Sequence, residues 1–477
     1  MPACQSTLFL CFAKRHKNGV LFVRRKESDD MLKNFVRYVS FATLSMVGYS
    51  LFVLADTFFI AQGIGGQGIA ALNLVLPVVH VISGLGWMFG VGGATLFSIQ
   101  KSRGQVRTAQ EIFSLTALAA GLLSLLIVAI CFFFRGPLLQ ALGASGELYH
   151  WARDYFAVYT LFTPAFILNF VMVSFLRNDG APRLASIAFL AGGLANIVLD
   201  YIFIFPLQWG LAGAALATCF SPILSLVLAA NHLRRGDSQL KFRSFHFQWR
   251  DLASVVANGL SSFMNEFSSA VVMFAFNQVL LSLAGDLGVT AYAIIANLNI
   301  IIIAILTGIG QGFQPLVSQF YGARDDRSVQ AVFRMALVTY LVFGAFCLLL
   351  GQVGAHPLVA IFNSQADPAL TAMATSGLRL YFLSYPLTAI NFFVIYYAVA
   401  VNAPRSSMLV SLLRGLILII PYLLVMSRLW DLTGVWLTMT AVEASTAILS
   451  ITLIIYYYYK LTGQQNIKIF RRLRRRV

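Results

Sequence analysis

Apolar residues run along this chain in long blocks, separated by short polar connections. A helix crossing a bilayer core needs about 20 such residues. Blocks of that kind lie near 35–61, 70–99, 112–134, 155–176, 184–205, 210–233, 254–284, 288–316, 331–352, 378–401, 407–427 and 433–459. The pattern predicts an all-α integral membrane protein with 12 transmembrane helices.

The two halves of the chain repeat one another. Tyr159, Pro164, Asn169 and Ala181-Pro182-Arg183 recur 222 residues later as Tyr381, Pro386, Asn391 and Ala403-Pro404-Arg405. Gly90, Gly92 and Gly104 recur 218 residues later as Gly308, Gly310 and Gly322, and Gly213 recurs 221 later as Gly434. Each half is a six-helix bundle. Six is even, so both bundles enter the membrane from one side, as a parallel repeat about an axis along the membrane normal. The expected organisation is a cytoplasmic N-terminal extension (1–32), an N-terminal bundle (33–235), a cytoplasmic linker (236–253), a C-terminal bundle (254–459) and a basic cytoplasmic tail (460–477). Met31 is an alternative start. The apolar run 4–13 precedes its basic residues, the reverse of a signal peptide.

Composition agrees with this. The 477 residues are 59% hydrophobic and 11% charged, with a mean hydropathy of +0.78; a soluble domain is about 25% charged. The net charge of +16 would suggest nucleic acid on a soluble protein. Here it marks orientation. With a cytoplasmic N-terminus, 30 of the 34 Lys and Arg fall inside and only Arg135, Arg153, Arg379 and Arg428 outside. That predicts a multi-pass protein of the cytoplasmic membrane with both termini inside. The run Arg471–Arg476 reads as a lipid-facing anchor. The five cysteines form no CxxC pair, and no nucleotide-binding GxxxxGK[ST] occurs.

Four of the 18 acids lie within spans: Asp56, Asp200, Glu266 and Glu443. An ionisable group at membrane depth is a functional candidate by default. Asn196 and Asp200 are i and i+4, on one helix face. Asp56 and Asp200 each lie about six residues, or roughly 9 Å, before an outward connection. Thr218 returns to similar depth on the next helix. These four side chains form an all-oxygen set suited to a hard cation such as Na⁺. They equally suit a proton shared between two carboxylates. The bland alternative is a polar clasp between helices. Glu266 lies in the polar run Asn265–Ser269 and is expected to face a central cleft and attract a cationic substrate, with Glu443 a second candidate. His80 reads as a hydrogen-bonded packing residue. Arg379 and Arg414 are expected to snorkel from helix ends, leaving no clear Arg at mid-depth.

Several segments together resemble the multidrug and toxic compound extrusion (MATE) family, over about residues 33–460. They are Ala55-Asp56-Thr57-Phe58-Phe59, Ala70-Ala71-Leu72 with Pro77, Leu176-Arg177-Asn178-Asp179-Gly180-Ala181-Pro182-Arg183, Asn196-Ile197-Val198-Leu199-Asp200, Gly210–Ala215 and Gly434-Val435-Trp436. The details are most similar to the bacterial branch with an aspartate pair in the N-terminal bundle. The resemblance implies a monomeric antiporter that exports small organic cations in exchange for H⁺ or Na⁺ and needs no cofactor or nucleic acid. It implies that Asp56, Asn196, Asp200 and Thr218 couple the ion, and that Glu266 takes part in coupling or substrate binding. Sodium-coupled relatives often carry an aspartate in the tenth span, and 378–401 has no acid. The rival readings are a lipid-linked oligosaccharide flippase of the same superfamily and, remotely, a membrane lipid transferase.

Overall fold

The computed structural model describes residues 5–234, 238–363 and 367–474, with side chains from 29 to 463. The basic part of the N-terminal extension and the run Arg471–Arg476 fall outside the described side chains.

Among the described residues the chain is helical apart from short turns and the linker 238–248. The elements are α1 (Gln5–Gly63), α2 (Gly66–Ser102), α3 (Val106–Phe133), α4 (Arg135–Ala141), α5 (Gly146–Leu161), α6 (Thr163–Asn178), α7 (Pro182–Ile204) and α8 (Gly210–Leu233) in the first half. The second half holds α9 (Trp249–Gly322), α10 (Asp326–Val353), α11 (Ala355–Phe362), α12 (Pro368–Phe382), α13 (Tyr385–Ala400), α14 (Pro404–Leu412), a π-helical turn (Leu413–Ile417) and α15 (Ile419–Arg474).

Eight helical stretches are long and apolar enough to cross a membrane. Two of them are double. α9 breaks at Gly285, whose φ of 58° and ψ of −150° few other residues adopt. α15 breaks at Trp430 and Asp431. Both breaks fall where the hydropathy pattern predicts connections. Two further spans are bent pairs: α5 with α6 at 49°, and α12 with α13 at 45°. The hydropathy pattern predicts each as one span, near 155–176 and 378–401. Pro164 and Pro386 sit at the start of the second member in each pair. Proline there lacks the amide that would continue the preceding helix. Counted so, the described residues hold twelve crossings, and the two halves share the same bend and the same preceding short helix.

Two separate hydrophobic cores follow the repeat. One is built almost wholly from the first half and includes Val255 and Val399 from the second. The other is built from the second half and includes Phe35 and Val39 from the first. Those four exceptions lie at the end of the molecule that carries the linker. The bundles meet there. Nearly every residue of α2 from Ile82 to Ile99 and every residue of α9 from Gly308 to Ser318 is buried. Glycines allow the approach: a Cβ at Gly92 would strike the Val255 carbonyl, one at Gly259 the Met88 carbonyl, and one at Gly308 the Thr43 backbone. Towards the other end, α2 alternates between buried and exposed positions. The bundles are thus sealed together at the linker end.

Polar contacts join the bundles at the same end. Arg177 donates to Gln311 across the interface and to Ser45 on α1 at 3.0 Å. Gln314 bonds to Thr95, and Ser318 donates to Asn178 at 3.4 Å. The next residue, Asp179, is buried and ties down the linker. It accepts from Lys101 Nζ at 2.5 Å, Ser238 Oγ at 3.1 Å and the Gln239 amide at 3.1 Å, and meets His232 Nε2 at 2.9 Å.

Candidate functional site

The N-terminal bundle gathers the four predicted residues. Asp56 on α1, Asn196 and Asp200 on α7 and Thr218 on α8 are 8%, 0%, 0% and 9% exposed. The carboxyl groups of Asp56 and Asp200 face one another. Asn196 Nδ2 donates to Thr218 Oγ1 at 3.4 Å, and that hydroxyl donates to the Ala214 carbonyl at 3.0 Å. Four acceptors find no donor: Asp56 Oδ1, both Asp200 oxygens and Asn196 Oδ1. Buried acceptors that share no donor favour a positive guest, because an unmatched polar group in a low dielectric is costly. Close helix packing makes the site possible. A Cβ on Gly192 of α7 would strike the Ser221 carbonyl of α8, and one on Gly193 would crowd Phe52 of α1.

Glu266, on α9, lies between the bundles. Its Oε2 is 3.4 Å from His80 Nδ1 on α2, and the two side chains are 31% and 28% exposed. Tyr49 of α1 and Tyr396 of α13 lie within electrostatic reach of Glu266. The sequence reading of His80 as a hydrogen-bonded packing residue left its partner unnamed. Nothing in the local pattern signals a contact between residues 186 positions apart.

Glu443 differs from expectation. It is fully buried in the C-terminal bundle and faces no cleft. Arg414 holds it through Nη2 at 2.5 Å and Nε at 3.2 Å. Asn391 Nδ2 adds a bond at 2.6 Å. Arg414 Nη1 also reaches Asn265 Oδ1 at 3.3 Å, and its guanidinium lies 4.6 Å from the Phe392 ring centre. Arg414 therefore does not snorkel. It sits ten residues into its span, on the π-helical turn. Arg177 is a second buried guanidinium, 3% exposed. The expectation of no Arg at mid-depth fails at Arg414. Among the described residues no group of three or more His, Cys, Asp or Glu could hold a metal ion.

Twelve crossings in two repeated bundles, with acids at membrane depth and a seal at the linker end, define a multi-pass membrane protein of the kind that transporters share. The comparisons agree. The MatE family profile matches residues 21–202 and 261–425. The chain belongs to the MatE family. It is 28% identical to the multidrug export protein MepA of Staphylococcus saprophyticus, covering 88% of this chain and 93% of that protein. It is 27% identical to the MepA of Staphylococcus haemolyticus, covering 90% and 95%. Among solved structures it resembles an outward-facing conformation of a multidrug resistance MATE family transporter of the MOP superfamily. The TM-score is 0.84 at 22% identity, over 90% of this chain and 96% of that one. It also resembles a MOP superfamily transporter from Pyrococcus furiosus whose binding pocket is described as reversed in polarity, with TM-score 0.83 at 22% identity over 90% and 96%.

Proposed function

We infer that this protein exports organic cations across a bacterial cytoplasmic membrane in exchange for inward H⁺ or Na⁺, by alternating access. The observation that carries the reading is the Asp56–Asp200 pair, buried face to face among orphaned acceptors. Two carboxylates cannot both hold bare charge at that depth, so a proton or Na⁺ entering the site has a large differential affinity for the state that exposes it. The names of the staphylococcal relatives support drugs as cargo. The charge asymmetry supports a cytoplasmic linker and termini. The sealed end is then the cytoplasmic one, and the cleft opens outwards.

In that state the carboxylates take up the ion and the cargo leaves. When the seal opens inwards, the ion departs and a cation enters from the cytoplasm or inner leaflet. Ion and cargo oppose each other reciprocally, since linkage is symmetric. Glu266 is the cargo-binding acid of the cleft. Glu443 drops out of that role because Arg414 already answers its charge. The same pairing, with Arg177 lying inside the seal, offers no open basic groove for an anionic lipid-linked sugar. Both bundles come from one chain, so a monomer suffices. The test is ethidium efflux in everted vesicles under an imposed pH gradient or an imposed Na⁺ gradient. One gradient should drive uptake in the wild type and neither in Asp56→Asn; efflux by that variant equal to wild type overturns the assignment.

A further inference from the structure

Among the described residues His80 and Glu266 form an ionisable pair that bridges the two bundles just above the seal. His80 belongs to α2 and Glu266 to α9, with 3.4 Å between Nδ1 and Oε2. Burial around the whole helix begins two residues further on, at Ile82. One turn below His80, a Cβ on Gly84 would lie 2.9 Å from the Phe263 ring and 3.3 Å from Glu266 Cβ. Glycine at that point lets the bundles come close enough for the pair to form. Both side chains keep nearly a third of their surface open, although they stand mid-way along their helices. They lie between the bundles just above the seal.

An imidazole is the side-chain type that gains and loses a proton near physiological pH. Protonated, it is a cation placed on the one carboxylate that the cleft offers to a cationic cargo. Neutral, it leaves that carboxylate bare. We propose that His80 is an internal counter-cation that competes with the cargo for Glu266, so that protonation of His80 expels the cargo and cargo binding expels the proton. This rests on Glu266 being the cargo acid. It adds a second point of proton–cargo opposition, on the bundle interface and apart from Asp56 and Asp200. The other polar groups around the pair do not duplicate it. Tyr49 faces Glu266 from α1 and Tyr396 from α13. Neither phenol carries positive charge. On α9 itself, Asn265 binds Arg414, whose charge Glu443 takes up. Arg177, near Tyr396, is engaged by Gln311 and Ser45.

The experiment uses the full-length protein in an Asp56→Asn/Asp200→Asn background, which removes the other acidic pair. Ethidium binding is followed by fluorescence polarisation at about pH 5.5 and about pH 7.5. This background protein should bind about five- to tenfold more tightly at the higher pH, within the usual range of a coupling between two ligands. Adding His80→Gln should give the tighter value at both pH values. Adding His80→Lys, a fixed cation, should give the weaker value at both. A pH slope that survives both His80 substitutions, with Glu266→Gln weak throughout, overturns the role of His80 alone. Undiminished binding by Glu266→Gln overturns the cargo site itself, and the proposal with it.

Discussion

Arg414 and Glu443 join the two helices that match α7 and α8 one repeat earlier, with Arg414 at the position of Gly192, 222 residues upstream. In the N-terminal bundle the glycine simply lets α7 lie against the Ser221 carbonyl. In the C-terminal bundle the same crossing carries a bidentate ion pair, further bonded to Asn391 and Asn265. The N-terminal bundle keeps its two fully packed acids, Asp56 and Asp200, without a basic partner, whereas the C-terminal bundle neutralises its fully packed acid, Glu443, with Arg414.

Removing one member of a buried ion pair leaves the other charge uncompensated, which destabilises by about 3–5 kcal/mol. Arg414→Met alone and Glu443→Leu alone should each lower the melting temperature of the purified protein sharply. The double variant should recover most of the loss, since a well-packed apolar pair replaces a buried ion pair at little cost. Thermal denaturation of the three proteins forms a double-mutant cycle; additive losses contradict the pairing.

Asp56→Asn and Asp200→Asn should each abolish gradient-driven ethidium efflux and leave membrane insertion unchanged. The carboxamide keeps the shape and one acceptor but removes the charge that calls for a cation. Transport assays alongside quantitative immunoblots of the membrane fraction separate the two effects.

The seal at the linker end depends on backbone approach. A side chain at Gly92 or Gly259 would enter the opposing main chain, so Gly92→Val or Gly259→Val should hold the bundles apart there. A cysteine introduced at Thr95, buried in the sealed wild type, should become reactive to a membrane-impermeant maleimide only in those variants. Efflux should fall in parallel, by at least tenfold, since one of the two required states is lost.

Asp179 gathers three side chains and one amide at the start of the linker. Asp179→Ala strips four groups of their buried acceptor, and each unmatched group costs about 1–3 kcal/mol. Limited proteolysis should cut the 238–248 segment at least several-fold faster in the variant. Equal rates would show that the linker is held by its apolar contacts and by the Arg243 bonds to Ser114 and Gln110.

The sequence by itself determined the twelve crossings, the repeat and the convergence of Asp56, Asn196, Asp200 and Thr218. The reason is that hydrocarbon imposes local rules: each crossing must be apolar for about 20 residues, and an acid within it stands out at once. Helical spacing then placed Asn196 above Asp200. Tertiary structure alone decided what each remaining charge faces. Arg414 looked like a helix-end residue, and the fold sets it against Glu443. His80 looked like packing until Gly84 let α9 approach. A helix turns by about 100° per residue, so a single inserted residue moves a side chain from lipid to core, and no local pattern of apolar positions records which neighbour waits there.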